Sequence, residues 1–463
     1  MKQAVLYLER NSRIILGLIL FASLAVKIGL LIYFNYQDPA LLLTLDAGDY
    51  IRLAKTIIET GTFSISPDFA GVPETIRTPG YPLFVALVYT IFGYHNSAVI
   101  ILQIVLSLLT ITIVFKIAEE LAGRSIAVIA SALIALDILT LDFTLRMMAE
   151  TLFTLFVVLI FLAGIRLIKT EGKAKYALIL GILTAAATQI RPINYFLFVF
   201  LLIFFLIFGM VKRWKAGKLV WELTLILIPT IILVGGWQLR NYRLTGYSDF
   251  SAIANINMYF FRAAEIIASQ EGKTLKETQR EMGYHLYQET LWSNKPEMAK
   301  TLDEWKTAGL KIVKQHPWLL MKMLFKSTAW VIVRPGGGAI THFLGYDLNM
   351  LQKEQSNTEI VAFLGIKFKI FTGFAFTYLL LLYSGVIAWL LSIIKARSIE
   401  GIHLFLIVLV FYFILLSGGT EGVSRIRIPM MPLLAIISGL GWSFLIGHFA
   451  RKREDKKDRR MEG

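Results

Sequence analysis

Cysteine is absent from the 463 residues, which excludes disulfides and thiolate metal sites outright. Charge is scarce as well. Asp, Glu, Lys and Arg make up 17% of the chain, against about 25% in an ordinary soluble domain. No repeat of fixed period runs through the chain, and no low-complexity tract apart from a charged tail, "RKREDKKDRR" (451–460). Histidines are few, and none stands in a His-x-x-x-His pattern or with a carboxylate at ligand spacing. His95, His285, His316 and His342 are therefore read as surface or interfacial residues.

What is abundant is apolar sequence, 56% of the chain, with a mean hydropathy of +0.64. That composition is a polytopic membrane protein's. The net charge of +15 could suggest nucleic acid, but the basic residues cluster in short segments between apolar runs, as the positive-inside rule predicts. No nucleic-acid partner is expected. Runs long enough to cross a bilayer, about 20 residues, lie near 13–34, 97–117, 125–142, 148–168, 176–190, 194–211, 219–238, 370–394, 402–417 and 428–447. The first is too long for a signal-peptide core and no small-residue cleavage site follows it, so it reads as a retained span.

The fold class expected is all-α, with about ten transmembrane helices, interfacial helices and an external helical segment. With ten crossings, Lys2, Arg10, Arg13, Lys116, Arg124, Lys169, Lys173, Lys175, Lys212, Arg213, Lys215, Lys218, Lys395, Arg397 and the basic tail all fall on one side, the cytoplasmic one. Segment 316–338, "HPWLLMKMLFKSTAWVIVRPGGG", is apolar enough to suggest an eleventh span. That would put the basic tail outside, and Lys322 and Lys326 share a helical face, so an interfacial amphipathic helix fits better. "YPLFVALVYTIFG" (81–93) is too short to cross. The expected organisation is an N-terminal module, 1–238, whose first external loop spans 35–96. An external helical segment, 239–369, follows it, then C-terminal transmembrane helices, 370–450, and a basic cytoplasmic tail, 451–463.

The first external loop opens with "LTLDAGDYIRLAKTI" (43–57). Asp46 and Tyr50 are spaced i, i+4 and share a face on a helix, with Ala54 continuing it and Asp49 one residue off it. A structural reading is a helix N-terminus, with Thr44 or Asp46 as N-cap and acids favoured by the dipole. Glu150 lies near the outer end of the fourth run, where a buried acid is costly; its structural alternative is a helix start beside Arg146. Arg191 precedes Pro192 between two apolar runs. Arg77, Arg240 and Arg425 also lie at external ends of spans or in the external loop, where interfacial snorkelling is the structural alternative.

Five stretches in order carry a resemblance. They are "LDAGDYIRLAKTIIETG" with "RTPGYPLFVAL", "RMMAETLFTLF" (146–156), "ATQIRPINYFL" (187–197), "GGWQLRNYRLTG" (235–246) and "SRIRIPMMPLLA" (424–435). Together they resemble the glycosyltransferases of the C fold, in the branch of protein O-mannosyltransferases and lipid A aminoarabinose transferases. The resemblance implies an inverting transferase that moves a sugar from a polyprenyl-phosphate donor, at the outer face of the cytoplasmic membrane, to an unspecified acceptor. Some relatives carry an Asp-Glu pair where this chain has Asp46-Ala47, so Asp49 or Glu74 could take the missing acid's part. The soluble sugar-binding insert of the mannosyltransferases has no counterpart, so a protein acceptor is not supported.

That chemistry needs a base near the acceptor oxygen and positive charge at the leaving phosphate. Asp46 is the expected base, with Asp49 its rival and Glu150 a further catalytic acid. Arg77, Arg191, Arg240 and Arg425 are expected at the donor phosphate, where guanidinium forks match phosphate oxygens. Tyr50 and Tyr81 are expected to support the substrate site. No cofactor is implied; a divalent cation on Asp46 and Asp49 is possible but unsupported, since two carboxylates on one helix make a weak site. Rival readings are a transporter or flippase of lipid-linked sugars, a polysaccharide ligase or polymerase, and a non-catalytic scaffold. Transporters place charge near the midplane and use interrupted helix pairs, whereas here charge sits at the outer ends.

Overall fold

The computed structural model describes residues 2–43, 45–64, 72–289, 297–348, 351, 357–397, 399–418 and 424–461. These residues are helical almost throughout, and their only β pairing is an isolated bridge between Ser64 and Pro73. The helices are α1 (Lys2–Gln37), α2 (Leu45–Thr60), α3 (Gly80–Phe92), α4 (Asn96–Ala122), α5 (Arg124–Leu136), α6 (Ile138–Thr144), α7 (Glu150–Lys169), α8 (Ala174–Ile190), α9 (Leu197–Val211), α10 (Ala216–Thr230) and α11 (Gly236–Thr245). Then come α12 (Ile253–Ile256), α13 (Ala264–Glu271), α14 (Leu275–Glu281), α15 (Met298–Gln315), α16 (Pro317–Val333), α17 (Gly337–Phe343), α18 (Asn357–Ala396), α19 (Gly401–Ser417) and α20 (Met431–Met461).

Each of the ten apolar runs is helical. Among the described residues, seven helices are long and apolar enough to cross a membrane. The run 125–142 is instead two helices, α5 and α6, bent by 60° at Asp137, whose carboxylate caps α6 by accepting from the Thr140 amide. Two further runs, α8 and α19, form helices of 17 residues, about 25 Å long, at the lower limit for a bilayer core. The segment 316–338 contains α16, which is not among the helices long and apolar enough to cross. Trp318, Met321 and Phe325 are exposed along it, beside the exposed Lys322 and Lys326.

The bundle is built round α7, which is buried on nearly every side. Packing this close needs small residues. A Cβ on Gly164 of α7 would stand 2.1 Å from the Phe405 ring of α19, so only glycine admits that ring. The segment after α11 makes a second core around Tyr247, Ile256, Phe260, Met298 and Leu302. There the side-chain amides of Gln279 and Asn255 donate to the Phe260 and Leu302 carbonyls, and Thr274 and Glu277 form a capping box on α14.

Four pieces of this scaffold meet at one end of the bundle. A 3-10 turn, Pro39–Leu42, leads from α1 towards α2. Residues 72–79 lead into α3, and Gly80 lets that helix start directly against α8, since a Cβ there would be 2.7 Å from the Gln189 carbonyl. Thr78 Oγ1 donates to the Ile190 carbonyl across the same contact, at 3.3 Å. The 3-10 segment Ser424–Met430 precedes α20.

Candidate active site

Asp46 lies in the first turn of α2 and does not cap it; Thr44 lies outside the described residues. Its carboxylate instead accepts from Arg77 Nη2 at 2.7 Å and from Arg425 Nη1 at 3.2 Å. Arg77 also reaches Asp49, through Nη2 at 2.9 Å and Nε at 3.1 Å, both to Oδ2. The other Asp49 oxygen accepts from Arg52. Asp49, one residue off the face of Asp46 and Tyr50, thus shares Arg77 with Asp46. Residues at i and i+3 are helical neighbours, and a guanidinium between them draws both carboxylates to one place. Residues 379 positions apart in the chain, Asp46 and Arg425, are brought into contact.

The side chains of Asp46, Asp49, Arg77 and Arg425 are 15–28% exposed. Burial alone would raise the Asp46 carboxyl, but the guanidiniums of Arg77 and Arg425 outweigh it and hold the group at about 2. Tyr50, one turn on, is pushed up to about 12 by burial. Its ring meets Tyr81 edge-on at 4.7 Å and lies under the Arg77 guanidinium at 5.6 Å. Tyr81 is fully buried, and its hydroxyl donates to Gln103 Oε1 at 2.6 Å.

Glu150 opens α7 and is 1% exposed. Its partner is Arg191 at 3.1 Å, although neither carboxylate oxygen accepts a well-directed hydrogen bond. Arg146, the neighbour expected for it, pairs with Asp142 instead, at 3.0 Å, from just past the end of α6. Arg191 stands between the end of α8 and a 3-10 turn, Pro192–Asn194, and also covers the Phe153 ring. Tyr50 lies within electrostatic reach of Asp46, Arg77, Glu150 and Arg191, so the two ion-pair groups adjoin.

Two other expected site residues are turned inward. Arg240 spends its guanidinium on backbone, donating to the Glu74 and Phe63 carbonyls at 2.6 Å each, and its plane sits 4.7 Å from the Trp237 ring. It braces the loop that carries Arg77 and does not join the arginines at Asp46. Glu74 is buried, and its Oε1 accepts from the amides of Ile76 and Arg77. Burial pushes its carboxyl up, against those two donors. It shapes the turn at Arg77, and with Asp49, Arg52, Leu53, Ile76, Arg77 and Gln288 it lines a shallow cleft.

His95 and His285 are exposed, and His316 is half-buried within reach of Gln270. His342 corrects the expectation of a surface position. It is fully buried, against Asp142 and the Leu41 carbonyl; no local sequence pattern signals this, since both partners are remote in the chain. Among the described residues no three His, Asp or Glu side chains converge as a metal site. Among the described residues, the Asp46 and Asp49 carboxylates face the guanidiniums of Arg52, Arg77 and Arg425.

Residues 76–237, about a third of the chain, match the family described as dolichyl-phosphate-mannose-protein mannosyltransferase. The match includes Arg77, Tyr81, Glu150 and Arg191 and leaves out Asp46, Asp49, Arg240 and Arg425. No curated protein matches in sequence. The oligosaccharyltransferase of Archaeoglobus fulgidus in complex with Zn and sulfate superposes with a TM-score of 0.52 at 13% identity, over 93% of this chain and 49% of that one. Its apo form gives 0.51 at 14% identity, over 95% and 52%. ArnT from Cupriavidus metallidurans bound to undecaprenyl phosphate is a looser likeness, 0.39 at 12% identity, over 92% and 77%. This chain spans about half the length of the oligosaccharyltransferases. The all-helical bundle, the mannosyltransferase match over residues 76–237 and the superposition over nearly the whole length give one conclusion: the chain has the glycosyltransferase C fold.

Proposed function

We propose that this protein is a membrane glycosyltransferase that moves a sugar from a polyprenyl-phosphate donor to an acceptor hydroxyl at the outer face of the cytoplasmic membrane. The observation that carries the reading is the sharing of Asp46 between Arg77 and Arg425. An acid of the expected base type stands against two guanidiniums of the expected phosphate-binding type, in a partly open setting at one end of the bundle.

The arrangement supplies both halves of the reaction. The donor phosphate engages Arg77 and Arg425, which suit its oxygens and its charge. Asp46 accepts the proton of the acceptor hydroxyl as that oxygen bonds to the anomeric carbon. The bond from that carbon to the phosphate breaks on the opposite face, and polyprenyl phosphate leaves with inverted stereochemistry at the sugar. A carboxylate held at about 2 is a weak base. Drawing the two arginines onto the phosphate removes the charge that holds it there, so Asp46 becomes basic only when the donor is in place. Asp49, tied to Arg77 and Arg52, keeps the Arg77 fork aimed. The Glu150–Arg191 pair stands behind Tyr50 as a second charged wall.

The test is incubation of membranes containing the protein with radiolabelled polyprenyl-phosphate sugars, following label in chloroform-insoluble or newly lipid-linked product. Label should transfer with the native chain and not with Asp46→Asn at matched expression. Equal transfer by both ends the assignment of Asp46. Movement of the labelled lipid between leaflets without any new product points to a flippase instead.

A further inference from the structure

Beneath the site lies a second polar cluster that the reaction does not use. His342, on α17, stacks on Phe34 of α1 at 4.2 Å between ring centroids. Its Nδ1 meets Asp142 Oδ1 and its Nε2 stands 2.8 Å from the Leu41 carbonyl oxygen. Asp142 and His342 are both fully buried. The second Asp142 oxygen accepts from Arg146, which also reaches the Gly338 carbonyl on α17 at 3.4 Å.

Both ring nitrogens thus face acceptors. The ring therefore bridges the Asp142 carboxylate and the Leu41 carbonyl, which lie on elements remote from α17 in the chain. Leu41 belongs to the turn that ends just before α2, five residues ahead of Asp46. The next carbonyl, Leu42, accepts from the Met147 amide at 3.1 Å. The same cluster reaches α2 from its other side. Gln103 Nε2 donates to the Thr144 and Arg146 carbonyls, its Oε1 accepts from Tyr81, and Tyr81 meets Tyr50 edge-on.

We infer that His342 is a positioning residue, clamped between Asp142 and the Leu41 carbonyl, that holds the turn delivering Asp46 to Arg77 and Arg425. It touches no substrate and acts through the backbone of residues 41 and 42. The inference rests on the glycosyltransferase reading only for its effect on turnover; the clamp itself is readable without activity.

The experiment uses the full chain in lipid nanodiscs. His342→Phe keeps the ring on Phe34 and removes both ring nitrogens; Asp142→Asn, which is isosteric, is the second variant. Amide hydrogen exchange in residues 39–50 should accelerate about tenfold or more in both, with residues 150–169 unchanged, because opening free energies are local. With a polyprenyl-phosphate sugar, kcat should fall about tenfold to a hundredfold, the range for a misplaced catalytic group, while donor KM holds. Unchanged exchange in residues 39–50 overturns the clamp, and so does an increase shared equally by residues 150–169, which would be general loosening. If residues 39–50 loosen locally but no variant, nor the native chain, transfers sugar, the clamp stands and the glycosyltransferase reading falls.

Discussion

Two clusters of carboxylate and cation lie at the same end of the bundle and differ in how open they are. At Asp46 and Asp49, three guanidiniums face two acids and the side chains stay partly exposed. At Asp142, one buried carboxylate is saturated by Arg146 and His342, and His342 is itself saturated by the Leu41 carbonyl. The first cluster can trade partners, because an incoming anion can take an arginine and release an acid. The second cannot trade without leaving a buried group unpaired, at a cost of about 3–5 kcal/mol. Exchangeable charge marks a reaction site, and saturated charge marks a scaffold.

The sharpest way to break this contrast is Asp46→Asn. Turnover should fall by about two to four orders of magnitude, the range for a lost general base, with melting temperature held. Donor affinity should hold or rise, since the change removes one carboxylate charge from Arg77 and Arg425. A donor affinity that collapses with turnover would mean Asp46 organises the arginines and is not itself the base. Asp49→Asn, whose residue only aims Arg77, should cost about tenfold in transfer, one hydrogen-bonded orientation's worth.

Next in size is the comparison of Arg191→Ala with Arg191→Lys. The alanine variant strands Glu150, which is 1% exposed, and should lower stability by about 3 kcal/mol or more. Lysine restores charge but not the fork, so it should keep most of the stability and lose part of donor use. Equal thermal melts for the native chain and both variants would remove the Glu150–Arg191 pair from the scaffold.

Arg425 and Arg427, two positions apart, make a smaller and cleaner pair. Arg427 is 1% exposed and donates to the carbonyls of Val331, Ile332 and Arg334 at the end of α16, satisfying orphan acceptors there. Arg427→Ala should lower melting temperature by about 4 °C or more for each kcal/mol lost in a small domain, and less in a chain of this size. Arg425→Ala should leave melting nearly unchanged and raise donor KM. Reversed results would exchange the roles of the two arginines.

The smallest effect is that of pH. The folded-state Asp46 carboxyl lies at about 2, below its ordinary 3.8, so its contribution is fully present above pH 4 and is lost as pH falls through 2. Hydrogen exchange of α2, corrected for its intrinsic pH dependence, should therefore be flat from pH 7 to 5. A transition in that window assigned to Asp46 would show that the arginines do not hold it.

The all-helical class and the membrane character are determined by the sequence itself, because ten apolar runs in a chain so poor in charge have no other way to satisfy their backbones in lipid. It also presented Asp46, Arg77, Arg191 and Arg425 as candidates, since a charged residue at the end of an apolar run needs a reason to be there. Helical spacing placed Tyr50 on the Asp46 face, and the fold keeps it there. Only the tertiary structure decided which cation meets which acid. Asp49 met Arg77, Arg240 was spent on the carbonyls of Phe63 and Glu74, and His342 was drawn inside. Helical period constrains neighbours three and four residues apart. The partners of these side chains lie tens to hundreds of positions away, and only tertiary packing brings them within hydrogen-bond reach.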